Sequence, residues 1–214
     1  MSNGAETSYQ NQRMSTAERF QLASIFAGDA ANGERLTEIL FDLTDSESLD
    51  NILFKTLAID LMRKDQFLPC LLMARRIVDF GGMHELFFRK VCGMCFQGLG
   101  DHGSAVAWLS EYLELGGDVE DTVPLIGNSL LLMGQFDEAE QVYEVLMNFS
   151  DRIGESLFFQ GRVKEAKMEI EVAAAFYERA LADDLGDLES QAYSCLGAMY
   201  YRLRLYEQAR TNFA

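Results

Sequence analysis

Several residue patterns in the 214-residue chain have the form of chemical motifs. Gly98-Leu99-Gly100-Asp101-His102-Gly103 fits G-x-G-x-x-G, whose glycines let a strand-to-helix turn approach a dinucleotide pyrophosphate. That chemistry needs a strand before the glycines. Here the preceding residues have helical periodicity and the surroundings are acidic, so a plain turn between helices is expected instead. Cys92 and Cys95 form C-x-x-C, but no second pair stands at zinc-finger spacing. Cys70 and Cys195 fall at apolar helical positions, so all four thiols read as small packing residues. His84 and His102 lie near turns with no nucleophile in an obvious triad, and Asp183-Asp184 reads as solvated surface near a helix end. Asn148-Phe149-Ser150 is a glycosylation sequon, but no export signal precedes it. No catalytic constellation, cofactor cradle or metal set emerges, and the expectation is a protein that is not an enzyme.

Composition narrows the partners. Acidic residues number 34 against 18 basic, for a formal charge of −16. Such a surface repels phosphate backbones and anionic lipid, so neither nucleic acid nor membrane is an expected partner. No apolar run approaches the ~20 residues that span a bilayer. With no apolar signal core in the polar leader 1–14, an intracellular, cytoplasmic protein with reduced thiols is expected. The charge is uneven. Residues 51–90 carry seven bases and four acids, whereas residues 91–150 carry ten acids and no Lys or Arg. That pattern is either a solvated acidic exterior or a bipolar surface that orients a partner.

The positioning elements follow from a repeat. Gly93, Gly127 and Gly161 lie 34 apart, as do Ala105, Ala139 and Ala173, and Leu109, Tyr143 and Tyr177. The columns extend back to Ala58, Cys70 and Ala74 and forward to Gly197, Ala209 and Phe213. Breaks at Gly81-Gly82, Gly116-Gly117, Asp151 and Gly186 keep the same period. Each unit reads as two helices. In the third, Leu125, Ile126, Ser129, Leu130 and Met133 make one helix-spaced stripe, and Ala139, Val142, Tyr143 and Leu146 make the next. A small residue inside the first helix and another early in the second would permit close approach. A large residue four positions on would plug the gap between units. Upstream, Ser15-Thr16-Ala17-Glu18 is a capping box opening a helix to about Ala27, and Glu34 to Leu43 reads as a second helix. This pair serves as an N-terminal cap or as a self-association segment.

These features resemble the tetratricopeptide repeat (TPR) family, a 34-residue helix–turn–helix with Leu-Gly and Tyr in the first helix and an Ala…Phe/Tyr…Ala series in the second. Leu196-Gly197, Tyr200 and Tyr206-Glu207-Gln208-Ala209 with Phe213 carry it best. Phe176-Tyr177-Glu178-Arg179-Ala180-Leu181, Ile126-Gly127 and Cys92-Gly93 carry it in other units. The resemblance implies an all-α fold, a right-handed superhelical array of helix–turn–helix repeats with N-terminal capping helices. It divides the chain into a leader (1–14), the cap (15–50) and about five repeats (51–85, 86–119, 120–153, 154–189 and 190–214). Gln160 and Lys164 occupy positions the family fills with apolar groups, so that helix is expected to be shifted or partly exposed. The last unit reaches Ala214 without the polar helix that closes such arrays, and the natural chain is expected to run on.

The resemblance also implies a function, a scaffold module that binds a partner peptide or helix in the concave groove lined by the first helices. The residues facing inward would be Lys55, Ile59, Met62 and Arg63, then Phe87, Lys90 and Met94, then Asn128 and Leu131, then Phe158 and Arg162, then Tyr201. Half of this lining is apolar and its cations gather at the N-terminal end. It suits a protein ligand with apolar anchors and an acidic group, unless the N-terminal helices cover it. The family's carboxylate clamp for heat-shock tails is matched only in part, by Lys55 and Asn128. A homo-oligomer through the N-terminal helices or the C-terminal end is a further partnership the resemblance allows. The alternative role is a dedicated chaperone for a secreted protein, similar to the acidic TPR chaperones of bacterial secretion systems.

Overall fold

A computed structural model describes residues 15–27, 33–44, 51–80 and 85–213. The leader 1–14, Gly81-Gly82, His84 and Ala214 lie outside these. Among the described residues there are twelve α-helices and no strand. The chain divides into two compact units, residues 1–115 and 116–214, a division the repeat period does not announce.

The first unit holds α1 (Thr16–Phe26), α2 (Gly33–Thr44), α3 (Asn51–Arg63), α4 (Phe67–Phe80), α5 (Glu85–Gly98) and α6 (His102–Glu114). The capping box at Ser15 is in place. Ser15 Oγ accepts from the Glu18 amide at 3.3 Å, and the Ser15 amide donates to Glu18 Oε2 at 2.7 Å. The predicted stripe of α2, Leu36, Ile39, Leu40 and Leu43, is buried, and α2 packs on α1 and α4. One apolar cluster runs from Phe20 on α1 to Cys95 on α5. The second unit holds three helix pairs, α7 (Val123–Leu132) with α8 (Phe136–Glu144), α9 (Ile153–Ala166) with α10 (Ile170–Ala180), and α11 (Glu189–Arg202) with α12 (Tyr206–Phe213). Short 3-10 turns cover Val145–Asn148 and Gly186–Leu188.

Five turns share one geometry. Asp65, Gly100, Gly134, Met168 and Arg204 all have positive φ, between 56° and 79°. Each donates its amide to the carbonyl three residues back. The next residue donates to the carbonyl five back, as in Gln66 to Leu61 at 2.9 Å and Glu169 to Lys164 at 2.9 Å. This double hydrogen bond satisfies the last carbonyls of the first helix. The residue after the positive-φ position then accepts, through its carbonyl, the amide of Cys70, Ala105, Ala139, Ala173 or Ala209. The small-residue column is therefore the place where the second helix begins its hydrogen-bonded ladder beneath the turn.

The glycine column packs differently from the expectation. An added Cβ would fall 2.5 Å from Leu109 at Gly93, 2.4 Å from Tyr143 at Gly127, 2.8 Å from Tyr177 at Gly161 and 2.8 Å from Phe213 at Gly197. The large residue thus sits on the glycine of its own helix pair, not primarily between units. Tyr143 does both, because its ring also stacks on Phe159 of the following pair, centroids 4.8 Å apart and 9° from parallel. The first pair has Ala58 and Ala74 at these positions, both fully buried, and the Ala58 carbonyl accepts from Cys70 Sγ at 3.7 Å.

The polar residues of α9 correct a second expectation. Gln160 is buried, and its amide donates to Ser156 Oγ at 3.0 Å, which donates on to the Tyr143 carbonyl at 2.8 Å. Lys164 pairs with Glu140 on α8 at 2.6 Å. The helix keeps its register because neighbouring polar groups satisfy these side chains. The acid-only stretch 91–150 is cross-linked from its flanks. Arg89 meets Glu111 at 2.6 Å, Arg152 meets Asp121 at 3.1 Å, and Lys167 meets Asp137 at 2.7 Å and Glu140 at 2.9 Å.

Candidate functional site

The residues expected to face inward lie on the first helices of the pairs in each unit. In the first unit, α3 and α5 bring Lys55 and Phe87 together, with the ammonium 5.1 Å from the ring centroid. This cation–π contact holds a flexible charge at a fixed place beside an apolar surface. Lys90 lies over the ring of Tyr112 at 5.7 Å. Phe87 and Met62 are half-buried and pack on the core cluster. Met94 is also half-buried, whereas Ile59 and Arg63 are exposed. The seven residues expected from α3 and α5 therefore all keep some accessible surface.

In the second unit the repeat brings Asn128 and Arg162 together, with Arg162 Nη1 donating to Asn128 Oδ1 at 3.5 Å. Leu131 is half-buried. Tyr201 is 63% exposed and meets Tyr206 edge-on at 5.7 Å. Phe158 does not face outward. It is 1% exposed and packs against Phe159 and Tyr177, with centroids 5.4 and 5.8 Å away, so its side chain belongs to the core. Two turns further along α9, Glu165 accepts from Tyr177 Oη at 2.9 Å and lies 3.8 Å from Arg202. The sequence reading missed this network, whose only signal was the acid–base spacing between α9 and α11.

The motif residues take ordinary packing roles. In the Gly98–Gly103 segment the amides of Gly100 and Asp101 donate to Gln97 and Phe96, and the Asp101 carboxylate caps α6 by accepting from Ser104 at 3.1 Å. Those donors are committed to the chain itself, and an anion already occupies the helix start. Cys70, Cys92 and Cys95 are buried. Burial pushes the Cys92 thiol up to about 12, and the hydrogen bond with Cys95 together with burial pushes Cys70 up as well. Cys70 and Cys92 therefore stay protonated at neutral pH. Among the described residues no group of three or more His, Cys, Asp or Glu is arranged to hold a metal. No described helix is long and apolar enough to cross a membrane.

No family model matches the chain, and no curated protein does. Solved structures do. MamA residues 41 to the end from Desulfovibrio magneticus RS-1 superpose with a TM-score of 0.62 at 17% identity, covering 78% of this chain and 93% of that one. A further crystal structure of MamA gives 0.57 at 15% identity, covering 73% and 90%. YrrB, described as a TPR protein with an unusual peptide-binding site, gives 0.56 at 15% identity, covering 82% and 89%. The fold is that of the TPR-type helical-repeat proteins.

Proposed function

We propose that the protein is a non-catalytic interaction module that binds a partner polypeptide on the inner faces of its first helices, as a scaffold within a larger protein complex. The observation that carries this reading is the set on α3 and α5, with Lys55 fixed over Phe87 and the accessible side chains of Ile59, Met62 and Met94 alongside. A cation held among apolar groups suits a ligand with apolar anchors and a carboxylate. A peptide-binding site in YrrB, a protein of the same fold, supports the class of function. The Asn128–Arg162 pair offers hydrogen-bonding groups to an extended backbone in the second unit. The buried free thiols of Cys70, Cys92 and Cys95 are compatible with a reducing compartment such as the cytoplasm, the location we propose.

The test is affinity capture from the native host with wild-type protein and with the Lys55→Glu, Lys90→Glu double variant, read by quantitative mass spectrometry. Partners specific to the wild type are expected to fall at least about tenfold, with helical circular dichroism intact. Unchanged recovery would remove the inner face as the binding site and leave the fold standing.

A further inference from the structure

α1 is fixed over α3 at two points. Phe20 meets Phe54 edge-on, with centroids 4.8 Å apart. One turn along α1, Ser24 Oγ donates to Asp60 Oδ2 at 2.6 Å, while Lys64 Nζ donates to the Ser24 carbonyl at 2.9 Å and to Asp60 at 2.9 Å. Beside these points the two helices part and leave an open cleft of about 610 Å³. Phe20, Leu53 and Ile59 give it an apolar lining, and Gln21, Thr56 and Arg63 stand around it. Ile59 remains 40% exposed there, so the capping helix does not seal the face it covers. The cleft continues past Gln21 and Ser24 to Ile25, which is 68% exposed.

The charge of the cleft is decided by which groups are already matched. Asp60 lines it, but Ser24 and Lys64 both serve that carboxylate. Burial raises its pKa, and the hydrogen bonds from Ser24 and Lys64, with the nearby charges of Lys64 and Arg63, outweigh that, leaving it below the usual carboxylate value. Arg63 is exposed and makes no ion pair among the described residues. It stands in residues 51–90, the one segment with excess positive charge in a chain of net charge −16.

We infer that this cleft is a binding site for a short partner segment carrying a large aliphatic or aromatic side chain beside a carboxylate. The side chain enters between Leu53 and Ile59, and the carboxylate pairs with Arg63 in a bidentate manner. The volume falls within the roughly 300–1,000 Å³ of pockets that hold small ligands. The inference rests on the protein's being a polypeptide-binding module and deepens that reading, because the inner-face residues Ile59 and Arg63 line the cleft together with α1. The repeat pattern marks Ile59 and Arg63 but not the cleft, whose other wall is α1 of the cap.

The experiment selects phage-displayed random dodecapeptides on the full chain and measures the enriched peptides by fluorescence anisotropy. Acidic peptides with a bulky apolar residue are expected to dominate. They should bind at least tenfold more weakly to Thr56→Trp, which fills the cleft, and to Arg63→Glu, and less weakly than that to Arg63→Lys, which keeps the charge but not the two parallel hydrogen bonds. Gln21→Trp fills the cleft from the opposite wall, so loss of folding in one variant does not decide the matter. Circular dichroism and thermal midpoints verify folding for each. Peptides that keep their affinity for the filled variants but lose it with Lys55→Glu would overturn the cleft while the inner-face reading survives. Enrichment of basic peptides would overturn the cleft chemistry. No enrichment over an unrelated helical protein would overturn both readings. Concentration-dependent dimerisation of the wild type that Thr56→Trp abolishes would make the occupant a second copy, contrary to this inference.

Discussion

At the scale of single residues, the fold depends on where a side chain is missing and where the backbone is left-handed. At Gly127 a methyl group would collide with the Tyr143 ring, which stacking on Phe159 holds in place. Gly127→Ala is expected to cost about 1–3 kcal/mol, the ordinary penalty of overpacking, as read by urea unfolding. Met168 presents the opposite case. Its φ is 63° and its side chain is 70% exposed, so a β-carbon adds strain without packing. Left-handed backbone costs a non-glycine residue about 1–2 kcal/mol, and glycine's extra chain entropy returns part of that. Met168→Gly should stabilise the protein by roughly 0.5 kcal/mol. A destabilising result would show that the exposed methionine packs in solution.

At the scale of helices, neighbouring pairs are latched by charge as well as by apolar contact. Lys164 and Lys167 on and just after α9 converge on Glu140 of α8. Burial raises the Glu140 pKa, and hydrogen bonds from both lysines outweigh it, so the carboxyl titrates below its ordinary 4.5. A carboxyl depressed in the folded state stabilises above its unfolded pKa and loses that contribution as pH falls through the folded value. Glu140→Gln should therefore lower stability at pH 7, by up to about 1 kcal/mol for this partly exposed cluster. As pH falls through the depressed folded value, the wild type and the variant should converge. Chemical denaturation at several pH values measures this, and a difference that persists into acid would remove the latch.

At the scale of the molecule, the two units differ in construction. The first closes an N-terminal helix pair over its repeats, and its apolar cluster runs from α1 to α5. The second has three helix pairs and buried aromatics of its own in Tyr143, Phe158 and Tyr177. About three repeats suffice for a stable stack. Residues 116–214 expressed alone should therefore unfold cooperatively with helical circular dichroism. A gradual, non-cooperative melt would show that this unit lacks a sufficient core.

The sequence by itself determined the helix pairs and their period. Small-residue columns at Ala105, Ala139 and Ala173 and glycines at Gly93, Gly127 and Gly161 are readable because close packing admits few residue types there. The capping box at Ser15 was equally legible, since it depends on residues three apart in the chain. The left-handed turns at Asp65, Met168 and Arg204 were not, because nothing in those residue types demands positive φ and only the surrounding hydrogen bonds impose it. The family resemblance placed Phe158 on the inner face, yet Tyr177 from the next helix packs against it and it is buried. Gln160 looked like a misfit until Ser156 supplied its partner. Local spacing assigns a residue to a helix face, whereas exposure and pairing depend on elements far away in the chain. The same holds for the cleft beside Arg63, which exists only because α1 settles on α3 at two points and parts from it alongside.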